Sequence, residues 1–168
     1  MPDKMWMVFV AALVPMIVGF IWYNPKVFGN TWMKAASMTP EKIQGGNMPL
    51  IFGLSYVMSI LLAFFLLISG FIIHQTGLYG LFSSLEGVNE VGTEAYQQFQ
   101  DLQEQFKDTH RTFGHGAIHG VLMGIGFALP VLATNSMFER KGLAYVLVNG
   151  GYWITTLALM GGVLCAWA

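Results

Sequence analysis

Apolar positions fill this chain in four uninterrupted runs, and its charged residues fall between them. Met5 to Tyr23, Met48 to Ile73, Gly114 to Ala133 and Leu143 to Trp167 contain no Asp, Glu, Lys or Arg. A helix needs about 20 residues to cross a hydrocarbon core, so each run is read as a membrane span (5–23, 48–73, 114–133 and 143–167). The first run has no small-x-small cleavage site behind it. It closes on Trp22-Tyr23-Asn24-Pro25, an interfacial pattern, and is expected to remain as a helix.

The connecting segments carry their own periodicity. In loop 1, Asn24 can cap a helix that starts at Pro25, with Val27, Phe28, Trp32 and Met33 at helical spacing. This predicts a short helix in the headgroup layer. Thr39-Pro40-Glu41 opens a further turn, Gly45-Gly46 closes it, and Asn47 with Pro49 opens the second span. Loop 2 begins with the breaker-rich Gly77, Gly80, Ser83 and Ser84. From there Val88, Val91, Ala95, Phe99, Leu102 and Phe106 step by three or four, predicting an amphipathic helix over 86–110. That helix either caps the bundle or docks another protein.

Small residues recur at i, i+4 spacing in every span: Ala11, Pro15 and Gly19; Ser55, Ser59 and Ala63; Gly116, Gly120 and Gly124; Ala158, Gly162 and Ala166. Apolar side chains gain nothing by leaving lipid, so helices associate where small residues let backbones approach. The expected fold is an all-α integral membrane protein whose four transmembrane helices form an antiparallel bundle. Pro15 and Pro130 are expected to bend their helices.

Composition agrees with this. Charged residues are 10% of the 168-residue chain and apolar ones 55%, against about 25% charged in soluble domains. A net charge of −1 gives no footprint for nucleic acid. The single cysteine, Cys165, excludes an internal disulfide. Lys26, Lys34, Lys42, Arg140 and Lys141 lie in loops 1 and 3, whereas the opposite side has only Lys4, Lys107 and Arg111 and most of the acids. The positive-inside bias places loops 1 and 3 in the cytoplasm of a cell-membrane protein and both termini outside.

Candidate chemistry is sparse. The chain has no Gly-x-Ser-x-Gly elbow, no Gly-Lys-Ser/Thr phosphate loop and no His-Glu-x-x-His helix, and no carboxylate sits inside a span. No enzymatic activity and no cofactor are expected. His74, His110, His115 and His119 gather at the predicted outer end. His115 and His119, four apart on one helix face, are the candidate metal ligands, with Glu104 or Asp108 able to complete a site. Interfacial histidines serve equally to satisfy backbone carbonyls or water. Trp22, Tyr23, Trp32 and Trp167 read as an aromatic belt. Deeper in the last span, Asn149 beside Gly150-Gly151 needs a hydrogen-bond partner, as glue or as part of a small pocket.

The block Trp22-Tyr23-Asn24-Pro25, Phe28-Gly29, Trp32-Met33 resembles that of the family known as domain of unknown function 1761. So do Ala117-Ile118-His119-Gly120, Gly126-Phe127-Ala128-Leu129-Pro130 and the Asn135, Phe138, Glu139, Arg140 loop. Asn24 stands where that family has Ser, and the middle loop is longer. The resemblance implies a four-span fold and carries no activity with it. The expected role is an accessory or scaffold unit, partnered by the lipid bilayer and by further copies or other membrane subunits. Two alternatives remain. One is a solute or ion channel or carrier built from several protomers, with Asn149, Thr155, Thr156 and His119 along the path. The other is a metal- or haem-binding protein using the histidines.

Overall fold

The computed structural model describes residues 4–168; the side chains of 71–78 and 81 lie outside the described residues. Among the described residues every regular element is helical. In chain order these are α1 (Met7–Ala11), α2 (Val14–Trp22), a π-helical turn at Pro25–Gly29, α3 (Asn30–Ala36), α4 (Pro40–Gln44) and α5 (Met48–Phe82). They continue with α6 (Glu94–Phe106), α7 (Phe113–Met123), a second π turn at Gly124–Ala128, α8 (Leu129–Phe138) and α9 (Leu143–Trp167). Three stretches are long and apolar enough to cross a membrane: Met48–Gly70, Phe113–Phe138 and Leu143–Trp167. A fourth candidate is a bent pair, Met7–Trp22 with Pro25–Ala36, which turns by 56° at the break.

α9 is the axis of the molecule. It packs against α1, α2, α3, α5, α7 and α8, and its Leu157, Met160 and Leu164 meet Met7, Val8, Ala11, Ala63 and Leu66 in the core. Its closest partner is α7. A Cβ on Gly116 would overlap the Gly161 carbonyl, one on Gly120 would lie 2.7 Å from the Ala158 Cα, and one on Gly124 2.7 Å from the Ile154 Cα. The order of these contacts makes α7 and α9 antiparallel, touching backbone to backbone over more than two turns.

The predicted glycine stripe of the third span is therefore the packing face. The facing surface of α9 includes two of its expected small residues, Ala158 and Gly162, and adds Gly161. Leu157, Ala158, Gly161 and Cys165 meet the α7 glycines, and Gly162 lies under the ring of Phe113, the first residue of the same helix. Of the expected second-span stripe, Ser59 and Ala63 are buried and Ser55 is exposed.

Proline handling also departs from a simple bend. Pro130 has no N–H to give the Gly126 carbonyl, and its ring crowds that turn. The chain widens into the π turn Gly124–Ala128 just before it, so the strain is absorbed without ending the helix. Likewise Asn24 caps Pro25 by accepting from the Lys26 N–H at 2.9 Å, and Gly29 N–H reaches the Asn24 carbonyl at 2.9 Å to close a π turn. The first span breaks at Ala12–Leu13, immediately before Pro15.

Two segments correct the sequence reading. The second helix does not stop at Ile73 but runs to Phe82, through Gly77 and Gly80. A helical glycine costs only about 1 kcal/mol, and the overhang is held by Tyr79 and Phe82, whose rings lie 6.0 and 5.7 Å from Phe99 of α6. The amphipathic helix expected over 86–110 is confined to Glu94–Phe106. Gly87 and Gly92 take φ of +82° and +98°, and the Thr93 hydroxyl donates to the Gly87 carbonyl at 2.6 Å and caps α6. Those turns leave Val88 buried and Val91 84% exposed, so Val91 is off the stripe.

Because Gly120 faces a backbone and Leu122 is 60% exposed, Gly120→Leu should lower the unfolding midpoint in detergent or abolish assembly, costing about 3 kcal/mol or more. Leu122→Ala should shift it little. Equal effects of the two substitutions would place the Gly120 face toward lipid.

Candidate functional site

The histidine end is built by the start of α7. Thr112 caps that helix by accepting from the His115 N–H at 3.2 Å, which fixes His115 in the first turn and His119 one turn later. The two rings meet edge to face, with Nε2 atoms 3.1 Å apart. At that separation one ring donates and the other must present a lone pair. The His110 ring stacks on His115 at 5.1 Å and 20°. The preceding loop is tied to α9: the Cys165 thiol donates to the His110 carbonyl at 3.3 Å, and Arg111 donates to the Ala168 backbone oxygen.

The proposed supplementary ligands are held elsewhere. Glu104 pairs with Lys107, and Asp108 faces Arg111 at 3.7 Å. His74 has its side chain outside the described residues. Among the described residues no group of three His, Cys, Asp or Glu converges as a metal site would. The Nε2 separation of 3.1 Å in His115 and His119 is close to the roughly 3.3 Å between two ligand atoms on one tetrahedral ion at 2.0–2.1 Å, once the proton between the rings is lost and both lone pairs turn to the ion.

The other end holds an arrangement that sequence reasoning divided among unrelated roles. The Trp22 indole N–H donates to the Val148 carbonyl at 3.0 Å, and the Tyr23 hydroxyl to Asn149 Oδ1 at 2.7 Å. The Tyr152 hydroxyl donates back to the Pro15 carbonyl at 2.9 Å. Asn149 completes its bonding by donating to the Tyr145 carbonyl at 2.9 Å. Trp22 and Tyr23, read as belt residues, also latch the first span to α9. The available signal was Gly150-Gly151. A Cβ on Gly151 would lie 2.9 Å from the Trp22 ring, so Gly151 makes room for the latch, whereas one on Gly150 would lie 2.6 Å from Leu129 of α8.

Of the residues named for a solute path, Asn149 is 9% exposed and committed to this latch, and Thr156 is fully enclosed. The Thr156 hydroxyl finds no hydrogen-bond partner among the described residues. Neither faces an open channel within one chain.

Fold and site together define a helical protein with three helices, or four counting the bent pair, able to cross a membrane. The family described as a protein of unknown function (DUF1761) matches residues 6–165, and the chain belongs to it. Neither a curated protein nor a solved structure gives a significant match.

If His115 and His119 bind a metal, copper, nickel or zinc added to the purified protein should be retained through gel filtration. The double variant His115→Gln, His119→Gln should then lose it. Retention of no metal by the wild type, or equal retention by the variant, assigns the pair to structure alone.

Proposed function

We propose that this protein is a non-enzymatic, four-span membrane subunit that works as an accessory or scaffold element within a homo-oligomer or a larger membrane complex. The four spans run antiparallel, with Met7–Trp22 as the first. Its 16 residues rise only about 24 Å, so the bent segment behind it completes the crossing at the headgroup layer. Loops 1 and 3 lie in the cytoplasm, and both termini and α6 lie outside, as the basic residues argue.

The observation that supports association is the first half of α5. Leu50, Ile51, Phe52, Leu54, Val57 and Met58 are each about half exposed and point in all directions around the helix. Among them a Cβ on Gly53 would meet no neighbour within 4 Å, and Ser55 is exposed. Small residues with no helix against them suit close approach by another helix, from a second copy or another subunit.

Light scattering of the solubilised protein should give a protein mass above the 18.6 kDa of one chain, and Gly53→Trp should reduce it. A monomer that also fails to crosslink in native membranes contradicts the proposal. For orientation, an impermeant thiol reagent on intact cells should label Glu94→Cys and not Lys141→Cys, each in a Cys165→Ser background; the opposite pattern reverses the topology.

A further inference from the structure

We propose that the cleft between α3 and the first turn of α9 is a binding site for the phosphate headgroup of an anionic phospholipid. The cleft is open, about 410 Å³, and lined by Asn30, Thr31, Lys34, Ala35 and Ala144. Its donors come from one face of α3, where Thr31 and Lys34 are three apart and therefore adjacent. Two alanines, Ala35 and Ala144, complete its lining. Lys34 is exposed, and among the described residues neither ion pair engages it. By contrast Lys141 is committed to the fold. Its ammonium donates to the Ala36 carbonyl at 3.1 Å and ties the end of α3 to the base of α9, fixing the two walls of the cleft.

Charge and position select the ligand. The segments that build this end carry Lys26, Lys34, Lys42, Arg140 and Lys141 against two acids, Glu41 and Glu139, and no carboxylate lines the cleft. Ala144 belongs to the first turn of α9, whose cap residue Gly142 offers the helix amides no side-chain acceptor. The 56° bend carries α3 off the line of the first span, beside the start of α9, where a span meets the headgroup layer. Basic pockets between helices at this depth suit lipid phosphates. The flank favours a lipid over a soluble anion. Leu143 and Leu147, on either side of Ala144, are 71% and 61% exposed, an apolar strip along which acyl chains can lie beneath a headgroup held by Lys34.

The test is titration of the purified full-length protein in neutral detergent with phosphatidylglycerol, phosphatidylcholine or inorganic phosphate, reading retained lipid and the thermal midpoint. Phosphatidylglycerol should be retained and should raise the midpoint, whereas phosphatidylcholine and inorganic phosphate should not. Lys34→Gln should bind phosphatidylglycerol about five-fold more weakly, the loss expected for one lysine at a membrane surface, with its lipid-free midpoint unchanged. Lys42→Gln, outside the cleft, should bind as the wild type does. Wild-type affinity in Lys34→Gln, an equal loss in Lys42→Gln, or an equal response to inorganic phosphate would each overturn the proposal.

Discussion

The backbone-to-backbone contact of α7 with α9 is the constraint on which the rest of the structure depends. Within lipid there is no solvent to drive apolar surfaces together, so what holds helices is dispersion between closely packed atoms and the few polar groups that must be satisfied. Gly116, Gly120 and Gly124 on one side, and Leu157, Ala158 and Gly161 on the other, bring the two main chains into direct contact. Once that pair is set, the remaining faces of α9 are fixed in direction. Met160 and Leu164 point at α1 and α5, and Val148, Asn149 and Tyr152 point at the end of the first span.

The first span is attached by a different means. Its interruption at Ala12–Leu13 and its turn at Asn24-Pro25 leave it poorly suited to stand alone. The latch of Trp22, Tyr23 and Tyr152 joins it to α9 through three hydrogen bonds, each worth about 0.6–1.7 kcal/mol in a membrane. Two of them end on backbone carbonyls, Val148 and Pro15. One end of the molecule is therefore organised by small residues and the other by aromatic side chains with polar tips.

Much of this was legible in the sequence because the relevant signals are local. The charge-free runs, the caps at Asn24, Thr39 and Asn47, and the glycine periodicity of the third span all act within a few residues. Three features were not legible, and each depends on a distant partner. Which of Gly161 and Gly162 meets the α7 backbone, and which meets the Phe113 ring of the same helix, is set by the rotation of α9. The extension of α5 to Phe82 depends on Phe99 arriving from another helix. The latch made by Trp22 and Tyr23 was hidden because nothing near them in sequence shows Val148 and Asn149 waiting opposite. The start of α6 was the exception: Thr93-Glu94 is a local cap signal, and the run of apolar steps from Val88 concealed it.

The candidate sites occupy the two ends that this framework leaves open. The histidines sit where α7 begins, beside the loop tied to Cys165 and Ala168, and the basic cleft sits where α9 begins. Both are built against α9, the first by the start of α7 and the second by α3. The most direct measurement of the α7–α9 pair is a matched substitution on α7: Gly116→Ala against Gly114→Ala, compared by thermal unfolding in one detergent. A Cβ on Gly114 would meet no neighbour within 4 Å, whereas one on Gly116 would lie 2.7 Å from the Gly161 carbonyl carbon. The account predicts a clear loss of stability for Gly116→Ala and none for Gly114→Ala, since alanine is the better helix former where space allows. Equal stability of the two variants would contradict the close approach of α7 and α9.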